Sequence, residues 1–315
     1  VALYNLYPLP NVPVTPRGCD YLTVWCITDP DWTAFHAGES RNKTHSDNFL
    51  GRIDWRPSER ASLSFKHNVQ LIDQVKGGTV PKTSNYPGNG TEVDGRNQNF
   101  SLNYAHQFTS HLANELRLGW NRFRLATFAL DRSIDPSTLG LQNLNFRDRG
   151  LPTLLVGGSF ASWPYDVAYT PLGPDLSTPS ARVSNVWSLA DNASYIWGRH
   201  NLKFGGEVRF VRLNATNEAL ARGVLSFYSG DFVAFTGWPD VASIARVSPD
   251  FGGGFDRAFR SRALNGFLQD QWRPASRFTV NYGVRYEFNQ PPVEVHDRLV
   301  NFYPAYGGLV RAGST

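Results

Sequence analysis

Residues Phe278-Thr279-Val280-Asn281-Tyr282-Gly283-Val284-Arg285-Tyr286-Glu287-Phe288 alternate apolar and polar side chains without a break. Phe278, Val280, Tyr282, Val284, Tyr286 and Phe288 fall on one side, and Thr279, Asn281, Gly283, Arg285 and Glu287 on the other. A period of two sustained over such a length specifies a long β-strand with one apolar and one polar face. The same pattern occupies 61–71, 99–108, 112–123 and 200–210. Weaker versions occupy 48–56, 185–197 and 262–272, where Asp191 and Asp270 fall on the apolar face. Eight strands are therefore expected. They are too long for most soluble domains, where about 5–6 residues is usual, and suit a tilted membrane crossing of about 9–11.

Working outward from these strands, short and long connections alternate. Tight turns are predicted at 57–60, 109–111, 198–199 and 274–277, whereas 72–98, 124–184 and 211–261 are long links. Loops beyond about 12–15 residues are uncommon in compact domains. Strict alternation puts every turn at one rim and every loop at the other, as in outer-membrane barrels with short periplasmic turns and long extracellular loops. Trp55-Arg56-Pro57-Ser58-Glu59-Arg60 recurs as Trp272-Arg273-Pro274-Ala275-Ser276-Arg277, and Trp197 holds the same place before Gly198-Arg199-His200. Trp55, Trp197 and Trp272 are the candidate aromatic girdle, because indole is favourable at headgroup level. Lys66, Glu115, Arg117, Lys203, Glu207, Arg209, Arg285 and Glu287 stand in mid-strand on polar faces and are the candidate lumen-facing charges. The expected fold class is all-β, an antiparallel up-and-down transmembrane β-barrel present in part as about eight long strands. Alternation alone also describes a soluble sandwich; strand length and loop asymmetry favour the barrel.

Composition agrees. Among 315 residues, 31 Lys+Arg and 27 Asp+Glu make 18% charged residues with a net charge of +4, while aromatics reach 14%. Charge below the usual level of about 25% argues against a disordered or polybasic chain. Basic residues are scattered, so nucleic acid is not an expected partner. The seven histidines show no metal-ligand spacing, and no nucleophile elbow, P-loop or dinucleotide fingerprint occurs. The glycine run Gly252-Gly253-Gly254 lies in mid-loop, without a helix for a phosphate to cap. No catalytic, metal or cofactor-binding residue is predicted, and the chain is not expected to be an enzyme. Cys19 and Cys26 are close enough in sequence for a local disulfide in an oxidising compartment, and equally readable as two unpaired thiols. A start at Val1, no Met and no signal-peptide pattern point to a mature form or a piece of something longer.

Several stretches carry a resemblance. Phe267-Leu268-Gln269-Asp270-Gln271-Trp272-Arg273, followed by 278–287, resembles the "QDxW…LTLNxGLRYE" hairpin of TonB-dependent outer-membrane receptors. Gly198-Arg199-His200-Asn201-Leu202-Lys203-Phe204-Gly205-Gly206-Glu207, with Asp191-Asn192 upstream, is similar to their "G+HxLKFGGE" hairpin. Leu3-Tyr4-Asn5-Leu6-Tyr7-Pro8-Leu9-Pro10-Asn11 resembles the "LxLYPxPN" segment of the Oar-like branch, and 47–54 looks like the strand that follows it there. The resemblance implies an active transporter in a Gram-negative-type outer membrane: a 22-stranded barrel with an N-terminal plug, driven by an inner-membrane energy-coupling complex. The sequence shows no plug, no coupling box and no aromatic-ended closing strand, so an internal barrel segment is expected. It divides into an irregular part (1–45), barrel strands and loops (46–290) and the start of a further extracellular loop (291–315). Partners so implied are outer-membrane lipid, the coupling complex and an extracellular ligand. Trp163, Tyr165, Tyr169, Tyr228 and Trp238 are the candidate ligand-capture residues in the long loops. Two other roles fit the residues: a barrel that anchors adhesive loops, and a secreted Trp-rich β-sandwich that binds glycans.

Overall fold

A computed structural model describes residues 42–77, 90–139, 150–156, 173–175, 177–217, 222–227, 242–245 and 256–313. Eight long strands form one antiparallel meander: β1 (Lys43–Ser58), β2 (Ala61–Lys76), β3 (Thr91–Gln107), β4 (Leu112–Ala129), β6 (Ser180–Trp197), β7 (His200–Asn217), β10 (Asp256–Ala275) and β11 (Phe278–Asn289). Between them lie the four-residue strands β5 (Thr153–Val156), β8 (Val224–Phe227) and β9 (Ala242–Ala245). After β11 come β12 (Val293–Glu294), β13 (Val300–Tyr303) and β14 (Gly308–Arg311). The long strands pair in the order β1-β2-β3-β4-β6-β7-β10-β11, and the loop-end part of β10 pairs also with β12. Among the described residues β1 and β11 are the two edges and do not meet, so these strands do not close a small barrel.

The Trp-Arg-Pro repeat has a structural cause. Register shifts occur between Trp55 and Ser58 on β1 and between Trp272 and Ala275 on β10, in both cases around the proline. Proline has no N–H to give to a ladder, so the strand bulges there before it turns. The β6–β7 turn uses two residues instead, with Gly198 in the left-handed region at φ 58°. Adjacent turns are tied together: the carbonyls of Arg60, His111 and Arg199 accept from the amides of Gln107, Ile196 and Arg273 at 2.8, 2.8 and 2.9 Å.

These turns form a staircase. Ala61, at the β1–β2 turn, is in register through β3 and β4 with Ala193, four residues short of the β6–β7 turn. Trp272 is level with His200, and the β10–β11 turn lies three residues further on. The turns thus descend seven residues over six strand steps. A shear near one residue per strand, with ~3.3 Å per residue and ~4.8 Å between strands, corresponds to a tilt of about 40°, within the range of membrane barrels.

At the loop end the strands outrun their sequence pattern. β3 starts at Thr91 rather than 99, β4 reaches Ala129 rather than 123, β7 reaches Asn217 rather than 210, and β10 begins at Asp256 rather than 262. Most of the added stretches, such as Glu92-Val93-Asp94-Gly95-Arg96, lose the apolar side on the face that alternates below, although β4 keeps Ala126 and Phe128 there. Backbone pairing continues there without the periodicity that betrays it. The long links are correspondingly shorter and partly ordered. β5, from the β4–β6 link, pairs parallel with β8, from the β7–β10 link, and β8 pairs antiparallel with β9. This small sheet, with its one parallel pair, stands apart from the antiparallel meander of long strands.

Apart from Ala61 and Asp270, the buried side chains gather at this loop end. Val93, Ala126, Ala129, Leu151, Val224 and Leu225 are buried, whereas Ile53, Trp197 and Val284 are 65%, 66% and 67% exposed.

Candidate functional site

Register assigns every long-strand side chain to one of two faces. One row across all eight strands reads Ile53, Phe65, Leu102, Leu118, Leu189, Val208, Leu264 and Phe288. No polar side chain interrupts it. The next row towards the loops is aromatic at its centre, with Phe100, Trp120, Trp187 and Phe210 in register; the Trp120 and Trp187 rings are 5.7 Å apart. Trp187 and Trp197 stand ten residues apart on β6. At ~3.3 Å per residue and a tilt near 40°, the two indoles bracket a band roughly 25 Å tall, the height of a membrane barrel's apolar belt.

All eight candidate charges project from the opposite face, and the structure pairs most of them. Glu115 accepts from Arg117 at 2.6 Å and Glu207 from Arg209 at 2.7 Å, while Arg285 pairs with Glu287. Each pair joins residues two apart on one strand. Arg52 and Asp54 of β1, at 2.8 Å, form a fourth pair that the weak pattern at 48–56 concealed. Lys66 and Lys203 share this face with an amide ladder, in which Asn68 donates to Asn48 at 2.7 Å and Asn97 to Gln70 at 3.0 Å. The face is hydrophilic and close to charge-balanced.

The Trp55, Trp197 and Trp272 side chains lie on the apolar face beside the turns. His200 is stacked between two of them, its ring centroid 5.8 Å from each of Trp197 and Trp272. His200 Nδ1 lies 2.6 Å from Asp270 Oδ2, to which the Tyr282 hydroxyl donates at 2.7 Å. Asp191 accepts from Asn114 Nδ2 at 2.7 Å. The two carboxylates that disturb the apolar alternation are therefore both hydrogen-bonded, in the half of the sheet nearer the turns. Of their partners, His200 and Asn114 are more than sixty residues away in sequence, beyond the reach of a local pattern, while Tyr282 lies twelve residues on, across the β10–β11 hairpin.

At the loop end Asp131 and Arg222 form a buried ion pair at 2.5 Å, and Leu151 N–H donates to the other Asp131 oxygen at 2.7 Å. Gly150, at φ 120°, lies against this pair, and a Cβ there would collide with the guanidinium. The pair fastens the β4–β6 and β7–β10 links together. Trp163, Tyr165, Tyr169, Tyr228 and Trp238 lie outside the described residues, as do Cys19 and Cys26.

The family described as Outer membrane beta barrel domain matches residues 1–315. The chain belongs to that family. Its place is accordingly the outer membrane, and the secreted β-sandwich is set aside. The structure is similar to that of the outer membrane transporter YddB from Escherichia coli, with 11% identity and a TM-score of 0.49, over 83% of this chain and 30% of that one. The chain thus spans under a third of that transporter. No curated protein matches the sequence.

Proposed function

We propose that this chain is a barrel segment of a TonB-dependent, Oar-like outer-membrane receptor that takes up a scarce or bulky nutrient. The carrying observation is the pairing of two faces: an unbroken apolar row across eight strands, and behind it a face of hydrated ion pairs. Charge on a lipid-facing strand costs roughly 2–4 kcal/mol near the midplane, so the charged face lines the lumen and the apolar face meets lipid. Trp55, Trp197 and Trp272 then form the periplasmic girdle. A lumen of alternating carboxylate and guanidinium offers polar solutes a path without a net electrostatic trap. The inner-membrane coupling complex acts through parts of the receptor beyond these strands, and the loop aromatics Trp163, Tyr165, Tyr169, Tyr228 and Trp238 capture the ligand.

Depletion of nutrients from the medium by strains with and without the full-length receptor tests this reading. A receptor-dependent depletion abolished by a protonophore is the expected result. Equal depletion by both strains, with cell adhesion lost in the deletion, would favour the anchor of adhesive loops.

A further inference from the structure

On the loop side of the aromatic row, the apolar face changes character. Arg96 on β3, Arg122 and Arg124 on β4, Arg212 on β7, and Arg260 and Arg262 on β10 all project from it. Counted from the turn end of its own strand, Arg96 is eleven residues up from Gln107, Arg122 ten from Leu112, Arg212 twelve from His200 and Arg262 thirteen from Ala275. That is roughly 25–33 Å above the turns at ~3.3 Å per residue and the tilt of a membrane barrel, the outer edge of the apolar band. By register Arg262 is level with Phe210, Arg122 and Arg212 stand one row beyond the aromatic side chains, and Arg96 two rows beyond. Measured above the turns, the four arginines form a belt about 8 Å deep at the outer edge of the apolar band.

The belt is compensated only in part from within. Register sets Arg96 directly opposite Arg124, and Arg212 directly opposite Arg260. Like charges so placed destabilise a sheet. Arg124 reaches Asp94 at 3.0 Å, and Arg260 donates to Asn214 Oδ1 at 3.0 Å and to the Phe259 carbonyl at 2.8 Å. Among the described residues the side chains of Arg96, Arg122, Arg212 and Arg262 have no hydrogen-bond or ion-pair partner. Carboxylates at the loop end of this face are Glu92 and Asp256 above the belt, Asp94 at its upper edge, where it holds Arg124, and Asp47 and Asp73 beside it on β1 and β2. On the opposite face, by contrast, Arg52, Arg117, Arg209 and Arg285 each hold a carboxylate two residues away.

We propose that this belt binds the phosphate-bearing headgroups of outer-leaflet lipid. Guanidinium forks match phosphate oxygens in a bidentate way, and a bridging phosphate relieves both like-charge oppositions. The height selects a lipid over a soluble anion, because acyl chains below the headgroup would pack against the aromatic row. The proposal rests on the reading that the apolar face meets lipid.

The test uses the purified full-length receptor in nanodiscs of phosphatidylethanolamine with a bis-phosphorylated glycolipid, lipid A, and measures retained lipid A by native mass spectrometry after detergent release. Arg96→Gln, Arg122→Gln, Arg212→Gln and Arg262→Gln should each lower retention about fivefold, the effect of one basic residue at an anionic membrane surface. The quadruple variant should lose it, Lys203→Gln on the other face should keep it, and millimolar inorganic phosphate should not displace it. Unchanged retention in the single and quadruple variants, equal loss in Lys203→Gln, or displacement by phosphate or by an acidic peptide would each overturn the proposal. Val284→Cys separates this failure from that of the parent reading. Labelling by a water-soluble maleimide in membranes would show that the face itself does not meet lipid. No labelling together with unchanged retention would dismiss the belt alone.

Discussion

The turn-side and loop-side halves of the sheet obey different rules. In the turn-side half, the row from Ile53 to Phe288 is wholly apolar, while Glu115–Arg117 and Glu207–Arg209 stand behind it. In the loop-side half the formerly apolar face carries Arg96, Arg124 and Arg212, and the formerly charged face carries Val93, Leu125 and Ala129, of which Val93 and Ala129 are buried. Strands, pairing and register are continuous through both halves. On the proposed orientation, what changes is the medium on each side: hydrocarbon and a wet lumen below, headgroups and a packed loop cap above. The polarity of a face therefore reports its solvent and says little about the backbone.

The largest effect should come from breaking the loop cap. Arg222→Ala leaves Asp131 buried and unpaired, at a cost of about 3–5 kcal/mol. Limited proteolysis should then cut between β4 and β6 while the long strands stay intact. Resistance equal to wild type would mean that the two links hold together without the pair. Next in size is Val284→Arg, expected to cost roughly 2–4 kcal/mol in the apolar band and to reduce assembly of the full-length receptor. Arg285→Val, one residue away, should leave assembly near normal by heat-modifiable gel mobility. The reverse order would contradict the assignment of faces. Tyr282→Phe should follow, at about 1.5–3 kcal/mol for one hydrogen bond to a carboxylate, read from urea denaturation of the refolded full-length receptor. No change would mean that His200 alone satisfies Asp270.

Legibility in the sequence followed the same division. Alternation exists only where one face meets an apolar medium, so 278–288 declared its strand and its faces at once, and Lys203, Glu207 and Arg285 could be placed without coordinates. Beyond Arg96 and Arg212 that constraint ends, and the last turns of pairing in β3 and β7 left no periodic trace. The loop cap was hidden for another reason. Thr153 pairs with Val224, and Asp131 with Arg222, across sequence distances at which no local signal survives. Asp270 looked like a defect until folding brought His200 and Tyr282 to it.

The most local effect concerns pH at the outer edge of β10. Glu294 is buried, which by itself would raise its pKa, yet donors from the Arg298 and Ala258 backbone, the Arg298 side chain and the His296 backbone outweigh burial and lower it to about 2. A lowered carboxylate pKa stabilises the fold above the unfolded value of 4.5, and that contribution is lost as pH falls through the folded value. Amide exchange in the β12 segment should thus be protected at neutral pH and lose protection between roughly pH 4.5 and 2. Glu294→Gln should show weaker protection and no such dependence. A pH profile shared by wild type and variant would assign the effect elsewhere.

The central claim is that the charged face lines water and the apolar face lines lipid. Single cysteines at Lys66, Arg117, Lys203 and Arg285, and at Phe65, Leu118, Val208 and Val284, placed in the full-length receptor in native outer membranes, test it most directly. Reaction with a small water-soluble thiol reagent, compared with a lipid-soluble one, is the measurement. The first four should react with the aqueous reagent and the second four only with the lipid-soluble one. Aqueous labelling of Val208 and Val284 equal to that of Lys203 and Arg285 would contradict the account.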